Sequence, residues 1–308
     1  MDKPDSLRIL TVGNSFTDSL SAFFPQVVES ASRGLHFERA NHGGCELHRH
    51  WSYIQNEERD GVYRMYQDYQ FKMREILARQ RWDVVSVQQA SHFSWRPETY
   101  QPFANKLHAY IKQHAPQAEV VIQQTWAYRA DDPRVVPGGA WQYDEDTLQR
   151  AKEAGIDLPA GSMVIGQDGM YEGLTAAYTR LAKDLRLRVI PTGLAVQLAR
   201  ANEAEGFKPY PQTLMRTLRW PDLPPQAGDV VGTIGWGKDQ ASGELKLWRD
   251  TIHLNARGQY LQACVWFAFL YRRKTSEITF VPDMLGDSDA RFLREMAQRA
   301  VDGFPQVI

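Results

Sequence analysis

Three side chains in this sequence have the residue types and the chain order of a nucleophilic catalytic triad. Ser15 follows a strand-like run in ILTVGNSFTDSL, and Asp250 and His253 lie three residues apart in DTIHLNARGQYL near the other end of the chain. A histidine held by a carboxylate can take the proton of a serine hydroxyl and so make that hydroxyl a nucleophile. These residues indicate acyl transfer through Ser15, with His253 as general base and Asp250 as the group that orients it.

Each part of this pattern also has a simpler interpretation. Serine is a preferred N-cap residue, and as the cap of the following helix Ser15 would accept a backbone N–H and do no chemistry. An isolated DxxH motif is weak evidence by itself. The combination is more specific, because the order Ser, Asp, His also occurs in other α/β hydrolases. Backbone N–H groups at a helix start would equally suit a phosphate or nucleotide, but the chain has no P-loop lysine and no GxGxxG run.

The elements that must position these residues alternate along the chain. Apolar runs with the length of buried strands occupy residues 7–12, 83–87, 119–122 and 187–190. Residues with helical apolar spacing occupy 19–32, 63–80, 100–114 and 170–185. The alternation predicts a three-layer α/β/α sandwich around a central parallel sheet, of flavodoxin-like architecture. Ligands of such sheets bind outside the carboxyl ends of the strands, where Ser15 is expected.

Length and composition predict one large globular domain over residues 1–308. With 43% hydrophobic residues the chain can bury a sizeable core, and loop insertions are expected near 129–169 and 201–249, where Pro, Gly and Trp are frequent. The 36 Lys and Arg residues balance 37 Asp and Glu, with no long run of either sign. This balance argues against nucleic-acid and membrane partners and leaves a small-molecule or carbohydrate substrate as the expected partner.

Cysteine usage and the N-terminal residues bear on the cellular compartment. Cys45 and Cys264 are far apart and lack CxxC spacing, so neither a disulfide framework nor a thiolate metal site is expected. The first ten residues, MDKPDSLRIL, lack the apolar stretch of a secretory signal. We therefore expect a cytoplasmic protein from the chain as given, or a secreted or periplasmic one if a signal was removed. The oligomeric state stays open.

Four stretches resemble the sequence blocks of the SGNH/GDSL hydrolase superfamily. ILTVGNSFTDSL resembles the first block, NHGGCEL the second and DTIHLNARGQYL the last, while WDVVSVQQASH falls where the third belongs. Asn14 replaces the usual aspartate, and GNSF with the glutamine pair is similar to a little-characterised subgroup. The resemblance implies an SGNH fold, an esterase, no cofactor and no metal. It also implies an oxyanion hole that includes the backbone N–H groups of Ser15 and of Gly43 or Gly44.

The third block departs most from the superfamily pattern. That pattern is G-x-N-D, with the asparagine amide as an oxyanion donor, whereas this chain has QQASH. A glutamine amide offers the same N–H group on a longer arm, so Gln89 is the expected donor, with Gln88 and Ser91 as rivals. A purely structural role for both glutamines, bonding backbone at a strand end, is the alternative.

Aromatic and amide side chains near the blocks suggest the substrate class. The residues predicted to bind the substrate are Asn14, Gln88, Trp51, Trp95, Gln124 and Trp126. Aromatic rings beside a crevice suit stacking on a sugar, so the expected reaction is removal of a short acyl group, foremost acetyl, from a carbohydrate. The alternatives are a carbohydrate-binding relative without turnover and a lipid or thioester hydrolase of the same fold. A metal site at His42, His48 and His50 fits no common ligand spacing.

Overall fold

Five parallel strands form the central sheet of the computed structural model, which describes residues 4–202, 204–211 and 213–306. The strands are β1 (Ser6–Val12), β2 (Gly34–Arg39), β3 (Val84–Val87), β4 (Glu119–Gln123) and β5 (Arg188–Ile190). Their order across the sheet is β2-β1-β3-β4-β5, and every neighbouring pair is parallel. This is the flavodoxin-like order, so the predicted α/β class is confirmed.

The four apolar runs became strands because both faces of these strands are covered. All four residues of β3 are buried, and the last four of β1 are buried as well, which is why they form continuous apolar stretches in the sequence. Each predicted range matches its strand to within one residue. Strand β2 was missed because it lies at the sheet edge, where its residues are half-buried or exposed and form no apolar run.

Helices flank the sheet on both sides. They are α1 (Ser15–Asp18), α2 (Phe24–Ser30), α3 (Leu47–Arg59), α4 (Met73–Ala78), α5 (Phe103–His114), α6 (Glu145–Glu153), α7 (Gln167–Leu185), α8 (Thr192–Ala201), α9 (Leu214–Thr217), α10 (Ala256–Tyr271) and α11 (Asp287–Gly303). In one group α10 packs against α2, α8 and α11, and in another α3 and α4 pack against α5. Within the described ranges, no helix has both the length and the apolar character needed to cross a membrane.

Two of the predicted helices are shorter than expected. The range 19–32 consists of a 3-10 turn at Ser19–Ala22 followed by α2, which has Pro25 in its first turn. In the range 63–80 only α4 is helical, because residues 67–69 have positive φ angles of 49°, 58° and 62° and turn the chain back on itself. The other two ranges correspond to α5 and α7.

An antiparallel hairpin precedes the last two helices and carries the DxxH motif. It pairs β6 (Val231–Lys238) with β7 (Leu245–Leu254), so Asp250 and His253 lie near the end of a strand. The predicted insertion 201–249 therefore contains ordered structure, apart from residues 203 and 212, which lie outside the described residues. The insertion 129–169 likewise contains α6. Helix α10 follows Asn255, whose side chain accepts the N–H of Gly258 at the start of the helix.

Candidate active site

Ser15 lies immediately beyond the carboxyl end of β1, at the first position of α1. The cap of that helix is Asn14, whose side-chain oxygen accepts the N–H of Phe16 at 3.1 Å. The Ser15 hydroxyl is therefore not used as a cap, and the capping interpretation of Ser15 is wrong. Its Oγ instead lies 2.9 Å from Nε2 of His253, across 238 residues of sequence.

The end of β7 holds the imidazole in a defined orientation. Nδ1 of His253 is 2.7 Å from Oδ2 of Asp250, and Oδ1 of Asp250 accepts the backbone N–H groups of Ile252 and His253 at 2.8 and 3.0 Å. Burial would raise the pKa of Asp250, but these three hydrogen bonds outweigh it and hold the pKa well below its usual range. An ionised Asp250 assigns the ring proton to Nδ1, which leaves Nε2 to accept the serine proton.

The glycine pair after β2 is held by an arginine from α3. Nη2 of Arg49 donates to the carbonyl oxygen of Gly43 at 2.7 Å. Because the C=O and N–H of a trans peptide point in opposite directions, this bond turns the Gly44 N–H away from Arg49. Gly44 has a φ of +58°, which a residue with a side chain rarely adopts. Both glycines line the cavity that contains Ser15, and the N–H of Ser15, as the first helical residue, has no intrahelical partner.

Glu46 is a buried carboxylate that connects three parts of the cavity wall. Its oxygens lie 3.1 Å from Nε of Arg49, 3.0 Å from Nε2 of His92 and 4.0 Å from Nη2 of Arg150. Burial opposes ionisation, but the hydrogen bond from His92 and the charges of His92 and Arg49 lower the pKa of Glu46 to about 2. Glu46 thus stays charged and holds the second-block loop, the third-block loop and α6 together.

Gln89 is not positioned to donate to an oxyanion, so this prediction is corrected. Its side chain is fully buried, and Nε2 donates to the carbonyl and the hydroxyl of Thr99, both at 3.1 Å. Its Oε1 accepts the N–H groups of Leu47 and Ala90. The amide therefore fastens the third-block loop to α3 and to the turn at Thr99. Of the residues in the third block, Ala90, Ser91 and His92 line the cavity instead.

Gln88 and Asn14 support the loop before Ser15 through hydrogen bonds within the protein. Nε2 of Gln88 donates to Oδ1 of Asn14 at 2.7 Å, and Nδ2 of Asn14 donates to the carbonyl of Cys45 at 3.0 Å. Asn14 borders the cavity, but its amide group is committed to these bonds. Both residues were predicted to bind substrate, and the structure gives them structural hydrogen bonds.

Trp126 lies beneath the triad and is not a stacking platform. Its ring is fully buried and stacks on Phe16 with ring centroids 4.1 Å apart, and its Nε1 donates to the carbonyl of Ile252 at 2.8 Å. Gln124 is also fully buried, and its Nε2 donates to Thr175 at 3.1 Å. Neither side chain can reach substrate, which corrects both predictions. Trp126 instead supports the strand end that carries His253.

The other two predicted tryptophans lie outside the cavity. Trp51 packs edge-on against Tyr110, between α3 and α5. Trp95 packs edge-on against Trp141, with ring centroids 5.5 Å apart. Neither lines the cavity that contains Ser15. The sequence pattern alone did not place either aromatic partner beside its tryptophan.

The cavity in front of the triad has a volume of about 470 Å³, and much of its wall is charged or polar. The 129–169 insertion contributes residues that sequence reasoning missed, namely Arg134, Trp141, Gln142, Tyr143, Asp144, Thr147 and Arg150. Arg134 is held by Asp132, with Nη2 to Oδ2 at 2.7 Å, and its guanidinium stacks on Tyr128. The charged residues of α6 were the only sequence feature that could have indicated this wall, but helical spacing does not show which face of a helix lines a cavity.

Both ring nitrogens of His50, one of the three histidines in the second-block cluster, lie within hydrogen-bond distance of protein groups. His50 is fully buried, with Nε2 3.1 Å from the carbonyl of Gly13 and Nδ1 2.9 Å from the hydroxyl of Tyr66. Burial lowers the pKa of His50 to about 3, so the ring is neutral and supports the loop before Ser15. Among the residues that the structure describes, no group of three or more His, Cys, Asp or Glu side chains is arranged to hold a metal ion.

The chain is similar to one protein family over part of its length and to a solved structure over nearly all of it. Residues 8–149 match the sequence model of DUF4886, a domain of unknown function, and no curated protein matches the chain. A DUF4886 family protein of known structure from Bacteroides uniformis ATCC 8492 is 21% identical, with 98% of each chain covered and a TM-score of 0.65. This chain therefore shares the fold of that protein.

Two further solved structures are less similar. A candidate SGNH hydrolase from Slackia heliotrinireducens is 19% identical with a TM-score of 0.43, covering 84% of this chain and 96% of that one. A candidate GDSL-like lipase from Parabacteroides merdae ATCC 43184 is 14% identical with a TM-score of 0.45, covering 87% of this chain and 96% of that one.

Proposed function

We propose that this protein is a serine esterase of the SGNH type, in the GNSF/QQ subgroup, that removes short acyl groups from polar alcohols, foremost acetyl groups from carbohydrates. The observation that carries the proposal is the hydrogen-bonded series Ser15, His253, Asp250, with distances of 2.9 and 2.7 Å. Nucleophile, base and orienting carboxylate are then in place at the carboxyl end of a parallel sheet, where such chemistry is expected.

Acylation begins with proton transfer from Ser15 to His253. As the Ser15 Oγ attacks the ester carbonyl, Nε2 of His253 takes the hydroxyl proton, and Asp250 stabilises the imidazolium. The tetrahedral oxyanion collapses, the C–O bond to the alcohol breaks, and His253 returns the proton to the leaving alcohol. Water then repeats the same steps on the acyl-serine, releasing the carboxylic acid and restoring the hydroxyl of Ser15.

Backbone N–H groups supply most of the oxyanion hole in this proposal. Ser15 contributes the free N–H of the first helical residue, and Gly44 contributes the N–H that the Arg49 bond to Gly43 turns outward. We assign the third donor to Ser91, since it lines the cavity and its hydroxyl lies 3.0 Å from that of Tyr128. When the Tyr128 hydroxyl donates in this bond, Ser91 keeps its own proton for the oxyanion.

The composition of the cavity wall supports a polar alcohol. A long acyl chain requires a continuous apolar channel, whereas this cavity is bordered by Glu46, Arg49, Arg134, Asp144 and Arg150. Guanidinium and carboxylate groups suit the hydroxyls of a sugar. The preference for carbohydrate no longer rests on the tryptophans proposed from sequence, since none of those three lines the cavity.

A fluorophosphonate probe tests the assignment directly, because it phosphonylates an activated serine. We expect stoichiometric labelling of the purified protein, located at Ser15 by peptide mass spectrometry, and no labelling of Ser15→Ala or His253→Ala. Hydrolysis of 4-nitrophenyl acetate and acetate release from acetylated sugars then define the reaction. A folded wild-type protein that binds acetylated sugars but is neither labelled nor active would instead support a carbohydrate-binding relative without turnover.

A further inference from the structure

Trp248 forms an exposed aromatic surface on the catalytic hairpin. It lies on β7 opposite Gly235 of β6. A Cβ atom built on Gly235 or on Gly237 would come within 3.2 or 3.1 Å of the indole ring. The ring therefore lies over these two glycines, which leave room for it, while the residue stays 47% exposed. One side of the indole covers the hairpin backbone and the other remains accessible to solvent.

The same strand face leads to the triad. Because side chains alternate along a strand, Trp248 and Asp250 share one face of β7, before the register shift that lies between the Thr233–Asp250 and Val231–Leu254 pairs. Asp250 holds His253, and Ile252 lines the cavity that contains Ser15. Two residues along an antiparallel strand span about 7 Å, so Trp248 and Asp250 are about that far apart along β7.

We propose that the exposed face of Trp248 is a subsite that stacks on a pyranose ring of a substrate oligosaccharide, beyond the sugar that carries the acyl group. This inference rests on the proposed esterase function. The π face of an indole attracts the positively polarised C–H groups on the flat side of a sugar. Polar side chains lie near this aromatic ring on the same face of the hairpin. Thr233, which is paired with Asp250, is exposed. Lys246, two residues before Trp248, forms an ion pair with Asp239 at 3.4 Å. A hydroxyl-rich ring suits this surface better than an apolar partner.

The test compares acetylated monosaccharides with acetylated pentasaccharides of xylose, mannose and galacturonic acid. Trp248→Leu keeps an apolar cover over the two glycines but removes the aromatic face. Trp220→Leu is the matched control, since Trp220 is 65% exposed and lies outside the hairpin. For the sugar series that is cleaved best, we expect the wild-type kcat/KM for the pentasaccharide to exceed that for the monosaccharide at least tenfold. Trp248→Leu should lower this ratio at least fivefold, and Trp220→Leu should retain it.

Several results would overturn the subsite. These are equal wild-type kcat/KM for one and five sugar units, a ratio that Trp248→Leu leaves intact, or the same loss in Trp220→Leu. A wild-type dimer that Trp248→Leu dissociates in size-exclusion chromatography would make this surface a contact between two copies of the chain.

A binding measurement separates failure of the subsite from failure of the esterase function. Affinity electrophoresis of Ser15→Ala protein through gels that contain the deacetylated oligosaccharides reports binding without turnover. Retardation by at least one sugar series that is lost when Trp248→Leu is added supports the subsite, even if no acetyl sugar is hydrolysed. Migration unaffected by all three sugar series excludes it.

Discussion

Asn14 shows how a single buried amide connects three separate parts of the candidate active site. Its oxygen accepts from Phe16 and from Gln88, and its nitrogen donates to the Cys45 carbonyl. An aspartate at this position could accept the first two bonds but could not donate the third. Asn14 and Gln88 are therefore complementary, because an amide at position 14 can accept from Gln88 and also donate to Cys45.

The triad predicts a characteristic set of kinetic losses at the residue scale. Ser15→Ala and His253→Ala should each lower kcat for 4-nitrophenyl acetate by about 10⁴-fold or more, and the double variant should be hardly worse, because the residues act as a unit. Asp250→Asn should cause a similar or smaller loss. Ser21→Ala, an exposed serine in the following 3-10 turn, is the control. Esterase activity near the wild-type level in purified, folded Ser15→Ala would refute Ser15 as the nucleophile.

Arg49 is expected to act as a positioning residue for the oxyanion hole. Arg49→Gln removes the guanidinium that holds the Gly43 carbonyl and pairs with Glu46, so the Gly44 N–H is no longer held in one direction. We expect kcat to fall by up to about 10²-fold, toward the loss of one oxyanion donor, with little change in KM. Arg49→Lys should recover part of kcat, and Arg59→Gln, on an exposed part of the same helix, should behave as wild type. An increase in KM alone would contradict this role.

At the scale of elements, a buried glutamate joins α3 to α4. Oε2 of Glu57 accepts the N–H of Met73 at 2.8 Å, and Nζ of Lys72 donates to the carbonyls of Glu57 and Asp60. Glu57 is fully buried. Burial raises the pKa of Glu57 to about 7, despite the hydrogen bond from Met73 and the charge of Lys72. The contact between these two helices therefore depends on a carboxyl group that titrates near neutral pH.

This raised pKa predicts the pH dependence of stability. The folded-state pKa of about 7 lies above the ordinary value of 4.5, so the folded state binds the proton more tightly. The resulting stabilisation is complete below about pH 4.5 and is lost as the pH rises through about 7. Glu57→Gln should abolish this dependence. The free energy of unfolding of Glu57→Gln minus that of wild type should therefore increase by about 2 kcal/mol from pH 5 to pH 8, because only wild type loses stability over this range.

Urea denaturation at both pH values measures this difference. Glu172→Gln provides the comparison, because Glu172 is exposed on α7, and its difference from wild type should be the same at pH 5 and pH 8. If the Glu57→Gln difference is also constant across this range, then Glu57 does not titrate in the folded protein as inferred.

At the scale of the whole molecule, the candidate active site is assembled from distant parts of the chain. Ser15 follows β1, His253 lies near the end of β7, and the opposite wall of the cavity comes from the third block and from the insertion that contains α6. Thr251 on β7 donates to Asp132, which also binds Arg134 of that wall. The hairpin and the insertion are thus held in register with each other by direct side-chain bonds.

The charged cavity predicts selectivity for short acyl groups. Added methylenes would have to pack against ionised side chains, so we expect kcat/KM for acetyl esters to exceed that for octanoyl esters at least tenfold. Tenfold corresponds to about 1.4 kcal/mol in activation free energy, which an acyl pocket can readily impose. Nitrophenyl esters of two, four, six and eight carbons measure the trend. Equal or greater activity on the octanoyl ester would indicate a lipid or thioester hydrolase.

The sequence by itself determined the features that depend on local pattern. Strands buried on both faces are continuous apolar runs, so four of the five sheet strands and the α/β class could be predicted. The Asn255 cap of α10 is equally local, since an N-cap side chain bonds N–H groups two or three residues ahead. Ser15, Asp250 and His253 could be named from residue type and chain order, and the structure brings them within hydrogen-bond distance.

Only the tertiary structure decided what surrounds the triad, because a side chain's partner can lie far away in sequence. Gln89 bonds Leu47 and Thr99, not the cavity, and Trp126 packs under Phe16. Arg150 reaches the cavity because α6 folds back over Glu46, more than 100 residues earlier in the chain. Residue type limits the bonds that a side chain can make, but the packing of distant elements chooses among them. For the same reason, Ser15, Asp250 and His253 could be named from the sequence, whereas the residues that line the cavity in front of them could not.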